Sequence, residues 1–207
     1  YKISLDHNGL VLNFVSKINE LSIPTPENYS KKEVSDIVNS IEVKETVESD
    51  IQPNIVIIMS EAFWEFEKIL PNYDGESYYP TVTKYKVGNI VSPTYGGGTS
   101  NVEFEALTGY SNSLLPDGSV PYQQYMSTYV PALPNLLKEY GYETSAFHTY
   151  HKYFWNRMVA YPALGFDQFI GLEDLESPNY YGAFIDDRVV NDMILNQLTE
   201  EEQPQFV

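Results

Sequence analysis

Two hydroxyls behind a run of glycines are the first place where this chain could do chemistry. In "SPTYGGGTSNVEFEALTG", residues 92–109, Gly96, Gly97 and Gly98 precede Thr99 and Ser100. A helical pattern follows over 101–108, closed by Gly109. Ser100 and Glu103 have the spacing of a capping box, in which the serine accepts a helix amide and the glutamate reaches back. A cap accounts for Ser100 but not for three glycines, which let a ligand approach the backbone closely. The start of a helix also favours anions, through its free amides and dipole. A Thr99 hydroxyl there, with its pKa lowered by a metal, could attack an anionic ester such as a phosphate. The stretch is not a P-loop, because the Lys-Ser/Thr ending is missing.

Two further groups belong with it. Glu61 lies two residues past the apolar run Ile55–Met59, at the carboxyl end of an expected strand. Ligand sites of open α/β sheets form at such ends, so Glu61 is either a metal ligand or base, or a solvated acid. In "FHTYHKYFWNR", His148 ends another expected strand, and His151, Trp155, Asn156 and Arg157 follow in a loop. Arg157 could grip a phosphate with two parallel hydrogen bonds, and Trp155 could wall a small polyol pocket. The competing reading is an aromatic packing corner with an exposed arginine. The two histidines, three residues apart, are weak grounds for a metal pair.

The elements that must position these residues alternate in type. The β-branched run at 55–59 reads as a strand buried on both faces of a parallel sheet. "PALPNLLKEYGYETSAFHT" reads as a helix over 131–140, a stop at Gly141 and a strand over 143–148. "LGFDQFIG" supplies another short strand, and Asp186 or Asp187 caps a last helix running to about residue 198. Strands alternating with helices give an α/β domain. Before it, apolar residues at 8–21 have roughly helical spacing, and Ser30 with Glu33 reads as the capping box of a helix over 31–41. Residues 1–50 are therefore read as a helical arm, and 51–207 as the main domain.

Composition narrows the partners. Among 207 residues, 29 acids stand against 12 bases, a formal charge of −17. Nucleic acid and simple docking on an anionic membrane are both disfavoured. With no cysteine, disulfides, thiolate metal sites and a cysteine nucleophile are excluded. No apolar run reaches the roughly 18 residues of a membrane span, and both ends read as cut from a longer protein.

Taken together, "PNIVIIMSEAFW", "SPTYGGGTSNVEFEALTG", "PALPNLLKEYGYETSAFHTYHKYFWNR" and "GFDQF" resemble the extracellular catalytic domain of lipoteichoic acid synthases and related phosphoglycerol transferases, in the sulfatase and alkaline-phosphatase superfamily. The "PENYS" of the arm is similar to the segment that follows the membrane helices of these proteins. The resemblance implies a mixed, mainly parallel sheet flanked by helices, here the N-terminal part of the domain. It implies Thr99 as nucleophile and metal ligand, Glu61 as a second ligand, and Mn2+ or Mg2+ as the cation. It places His148, Trp155 and Arg157 against the glycerophosphate group. The donor would be a phosphatidylglycerol-type lipid head group. The acceptor would be a glycerol-phosphate polymer or a glycan, and the location the outer face of a bacterial membrane, reached through N-terminal helices outside this chain.

Departures from the pattern matter as well. The family completes its metal site with a later Asp-His pair, whereas the dipeptide here, Asp6-His7, falls in the arm. The expectation is a half-built site on a fragment inactive by itself, since a hard cation takes about six ligands. Tyr150 stands where relatives often carry a small polar or acidic residue. Sulfatase activity ranks low, because "TSNVE" lacks the Pro and Arg of the formylglycine motif and no cysteine is present. A metal-dependent phosphatase, phosphodiesterase or phosphoethanolamine transferase of the same superfamily remains an alternative, as does a noncatalytic glycerophosphate-binding module.

Overall fold

Short parallel strands and the helices between them carry the architecture. The computed structural model describes residues 9–12, 14, 15, 18, 23, 25–42, 51–60, 63, 65, 67, 69, 70, 72–126, 128–200 and 202–207. Among the described residues, seven helices have defined limits: α1 (Lys31–Ser40), α2 (Pro80–Tyr85), α3 (Thr99–Thr108), α4 (Pro121–Gln124), α5 (Leu133–Glu139), α6 (Arg157–Leu164) and α7 (Asp187–Glu200). The strands are β1 (Glu143–Phe147), β2 (Gln168–Ile170), β3 (Tyr180–Tyr181), β4 (Phe184–Ile185) and β5 (Gln205–Phe206). β1 lies between β2 and β5 and is parallel to both, with Ala146 opposite Phe169 and Thr144 opposite Phe206. β3 and β4 form a separate antiparallel pair. The fold is thus a mixed α/β arrangement with a parallel sheet and flanking helices, as the sequence implies.

The unit α5–β1 follows its sequence signals. Pro134 occupies the first turn of α5, and Gly141, at φ +85°, returns its amide to the Lys138 carbonyl. β1 then leads through α6 to the parallel β2. Gly165 ends α6 at φ +102°, where a Cβ would lie 2.3 Å from Asn135 Oδ1 and 2.9 Å from the Asn135 backbone nitrogen. The Asn135 side chain donates to the carbonyls of Val130 (3.1 Å) and Leu164 (2.8 Å), which ties α5 to the end of α6. Against Ala146 of β1 and Phe169 of β2, Phe104, Tyr122, Met126, Ala160, Tyr161 and Leu164 form the buried core, drawn mainly from α3, α4 and α6.

Elsewhere the structure amends the sequence reading. The run 55–59 is not buried on both faces: Ile57 is 45% exposed and Ile58 71%. It joins the sheet only beyond β5, through a parallel bridge of Ile55 to Phe206 and an Ile57 amide donating to Val207 O at 2.7 Å. Among the described residues no strand pairs with its other edge, and an apolar run is buried only by what packs on it. In α1 the Ser30 hydroxyl accepts the Glu33 amide at 3.1 Å, one half of the expected box. α7 begins at Asp187, with Asp186 accepting the Arg188 amide at 3.0 Å. Of the expected helix over 8–21, the described positions are helical and exposed. The remaining positions, and Asp6-His7, lie outside the described residues.

Candidate functional site

α3 starts two residues earlier than its pattern suggests, because glycine conformation rather than a side chain opens it. Gly96, Gly97 and Gly98 have φ of +68°, +118° and +82°, a left-handed run that side-chain-bearing residues rarely adopt. Gly98 is the N-cap, with no side-chain hydrogen bond to the first turn. A Cβ on Gly96 or Gly97 would meet nothing within 4 Å, so the glycines serve the backbone path and leave the approach to Thr99 open. Thr99 is the first helical residue and is half-buried.

The expected Ser100–Glu103 capping box does not form. Ser100 lies inside the helix, fully buried, and its Oγ has no hydrogen-bond partner. Glu103 turns the other way, into the protein. Its Oε2 accepts from Arg157 Nε at 3.2 Å and from the Tyr161 hydroxyl at 3.0 Å, while Oε1 accepts from Arg157 Nη2 at 2.5 Å. Arg157 Nη1 donates to the Phe154 carbonyl at 3.2 Å. Arg157 is 1% exposed. The structure thus places this arginine inside, with Glu103, and not as the exposed side chain of an aromatic corner.

The electrostatics of this cluster follow from its burial. Desolvation opposes the Arg157 charge, but the hydrogen bonds and charge of Glu103 outweigh it and hold the guanidinium above its ordinary pKa. Burial first, and the Glu103 carboxylate second, push the Tyr122 and Tyr161 phenols well above their usual value. Both phenols therefore stay protonated at neutral pH.

The pairing brings two of the sequence clusters together. Glu103 is four residues from Thr99 on one helix, so both lie on the same face, about 6 Å apart along the axis. Arg157 thereby meets α3 one turn below the candidate nucleophile. Trp155 and Asn156 just before it take left-handed conformations, φ 57° and 62°. A bulky residue there stores strain on the order of 1–3 kcal/mol, a cost that clusters at functional sites. The Asn156 side chain fixes the turn by donating to Tyr122 O at 2.8 Å. Trp155 is half-buried. His148 follows the carboxyl end of β1, where its amide donates to Ile170 O at 3.0 Å and its Nδ1 accepts the Tyr150 amide at 3.2 Å.

A local shortage of partners marks the same region. Among the described residues, the buried side-chain polar atoms without a hydrogen bond are Ser100 Oγ, Asn101 Oδ1, Asn112 Oδ1 and the Tyr122 hydroxyl. All belong to the first turn of α3 or to segments packed on it: Asn112 Nδ2 donates to Asn101 O at 2.8 Å, and α4 contacts α3. Buried polar groups are normally satisfied, and their concentration here needs a reason.

The expected metal ligand Glu61 lies outside the described residues, though the described stretch 55–60 runs parallel to β1, toward the edge that carries His148. Among the described residues no group of three or more His, Cys, Asp or Glu could hold a metal ion. Thr99 by itself does not make a cation site. No described helix is long and apolar enough to cross a membrane.

Sequence reasoning missed Glu103 and Tyr161 as parts of the site. The signal for Glu103 was present, since a carboxylate one turn after a candidate nucleophile can serve either a cap or a buried cation.

Comparison with known proteins places the chain as a whole. The family model described as Sulfatase matches residues 53–207. A protein of Rhizobium meliloti (strain 1021), described as a candidate cyclic beta-1,2-glucan modification protein, is 36% identical over 97% of this chain and 31% of its own length. The lipoteichoic acid synthase of Staphylococcus saprophyticus is 31% identical over 73% of this chain and 24% of its own. The chain therefore spans about a third or less of these relatives. The Streptococcus pyogenes phosphoglycerol transferase GacH, solved with sn-glycerol-1-phosphate, has the same fold over 89% of this chain and 52% of its own, with a TM-score of 0.66 and 21% identity.

Proposed function

The chain belongs to the sulfatase family, and from that premise we propose that it carries the nucleophile and donor-binding part of a phosphoglycerol transferase. The observation that carries the reading is the Glu103–Arg157 pair, which joins the helix that begins at Thr99 to the loop of Trp155. The names of two relatives support the substrate class: one is a lipoteichoic acid synthase, and the other a phosphoglycerol transferase solved with sn-glycerol-1-phosphate.

In this reading Thr99 Oγ attacks the phosphorus of a phosphatidylglycerol-type head group. The bond from phosphorus to the diacylglycerol oxygen breaks, and diacylglycerol leaves with the proton that Thr99 gives up. A hydroxyl of a cell-envelope polymer or glycan then attacks the phosphothreonine, and its proton returns to Thr99. The open backbone at Gly96–Gly98 admits the phosphodiester, and the free amides of the first turn of α3 stabilise its charge. His148 and Trp155 flank the glycerol end. Arg157 acts with its charge largely matched by Glu103, so its part is to orient the Trp155 turn and to present whatever donor capacity Glu103 leaves. Glu61 and Thr99 would be two ligands of a Mn2+ or Mg2+ ion, which supplies Lewis acidity; a hard cation takes about six. Residues 1–50 would form the arm towards membrane helices, on the outer face of a bacterial membrane.

The test is release of diacylglycerol from phosphatidylglycerol by the full-length protein that contains this chain, with Mn2+ supplied. Thr99→Ala is expected to bring release to background, a loss of roughly a thousandfold or more for a covalent nucleophile. If Thr99→Ala released diacylglycerol at the parental rate, the nucleophile assignment would be wrong.

A further inference from the structure

Beside the candidate site, the loop after β1 exposes a run of aromatic rings that the reaction above does not use. Tyr153 stacks on His151 at 4.9 Å between ring centres, and His151 meets Tyr150 edge-on at 4.9 Å. Tyr150 meets Phe154 edge-on at 5.1 Å, and Phe154 leans on Trp155 at 5.4 Å. The rings thus form a ladder from solvent to the half-buried Trp155 that precedes Arg157. Tyr153 is 64% exposed, Tyr150 45% and Phe154 42%.

The ladder stands on a fixed backbone. The Phe154 amide donates to His151 O (3.0 Å), the Asn156 amide to Tyr153 O (2.8 Å) and the Leu172 amide to Tyr150 O (3.1 Å). Glu173 accepts the Lys152 amide at 3.1 Å and shares a 2.9 Å hydrogen bond with His151 Nδ1. The Lys152 ammonium is taken up by Asp174 at 2.5 Å. Rings held in this way lose little freedom on binding, so their contact area converts efficiently into affinity.

We propose that the ladder Tyr153–His151–Tyr150–Phe154 is the acceptor subsite, and that the acceptor it takes is a neutral glycan. The proposal rests on the transferase reading and narrows it. Ring faces with carboxylates at their edges suit pyranose rings, which offer apolar C–H faces and equatorial hydroxyl donors. Local charge decides against the other acceptor class: Glu173 and Asp174 border the ladder and Lys152 is already paired to Asp174, an arrangement that disfavours a polyanionic glycerol-phosphate polymer. An anionic lipid surface at the rings would need unpaired Lys or Arg around them, whereas Lys152 is held by Asp174.

The test is calorimetry on the full-length protein that contains this chain, with neutral cyclic β-1,2-glucan, poly(glycerol phosphate), phosphatidylglycerol vesicles and sn-glycerol-1-phosphate as separate probes. The glucan is expected to bind more tightly than the polymer. Tyr150→Ala/Tyr153→Ala is expected to weaken glucan binding about tenfold, with far-UV circular dichroism unchanged, and Tyr153→Phe to retain it. No glucan binding by the parent chain, equal binding by the double variant, or a loss confined to vesicles would overturn the proposal. Failure of sn-glycerol-1-phosphate to bind, with glucan binding and its ring dependence intact, would sink the phosphoglycerol reading and still support the ladder as a glycan site.

Discussion

Replacing Glu103 by glutamine tests the join on which the site depends. The amide would keep the shape of the side chain and could still accept from Tyr161 and from one guanidinium nitrogen. It would leave the Arg157 charge buried without a counter-charge. Arg157 is 1% exposed by side chain and Glu103 10%, so solvent relieves little of that cost. Breaking a buried pair from one side costs about 3–5 kcal/mol, against about 5–15 kcal/mol for a whole domain. Urea unfolding followed by circular dichroism should show a lower midpoint for Glu103→Gln with an unchanged slope. Removing the set together, as Glu103→Leu/Arg157→Met/Tyr161→Phe, should cost less than the single change, because no charge or donor is then stranded. An unfolding free energy for Glu103→Gln within about 1 kcal/mol of the parent would refute the reasoning, because that is the range of exposed pairs.

Two further outcomes follow from local geometry. Ser100→Ala should leave the thermal midpoint unchanged or raise it, since the buried Oγ has no partner to lose; a true N-cap would lose about 1 kcal/mol, and a drop of that size would restore the capping box. Asp186 is held from its ordinary 3.8 down to about 2, first by its side-chain hydrogen bond to Arg188 and then by the Arg188 amide. With the folded value below the unfolded one, its contribution is full above about pH 4 and disappears as pH falls through about 2. A carboxyl-carbon NMR titration should place the midpoint near 2, and Arg188→Ala should move it up; a midpoint near 3.8 in the parent would contradict the pairing.

What could be read in the sequence depended on how far apart the cooperating residues were. The unit α5–β1, with Pro134 inside the helix and Gly141 behind it, is written in neighbouring residues, and its limits came within about two residues. The start of α3 is also local, but two signals compete there. Two mechanisms can open a helix, a side-chain cap or a glycine in a left-handed conformation, and Ser100 with Glu103 imitated the first while Gly98 supplied the second. The burial of the run 55–59 is not local at all, because it depends on what packs against its free edge.

The pairing of Glu103 with Arg157 shows the same limit at the site. The two are 54 residues apart, and each had a plausible local task, a helix cap for one and a phosphate grip for the other. Only the fold shows that they answer each other. This changes the chemistry that can be asked of Arg157. An arginine whose Nε and Nη2 are held by a buried carboxylate, and whose Nη1 meets the Phe154 carbonyl, is rigid and has little net charge to offer. Such a group discriminates by geometry more than by attraction. In the proposed reaction, phosphate affinity would then come chiefly from the amides and dipole at the start of α3, and from a bound cation. The strained Trp155–Asn156 turn is the part that Arg157 holds in place. Glu103, which touches no substrate in this reading, positions both ends of the site: the helix that begins at Thr99 and the turn that ends at Arg157.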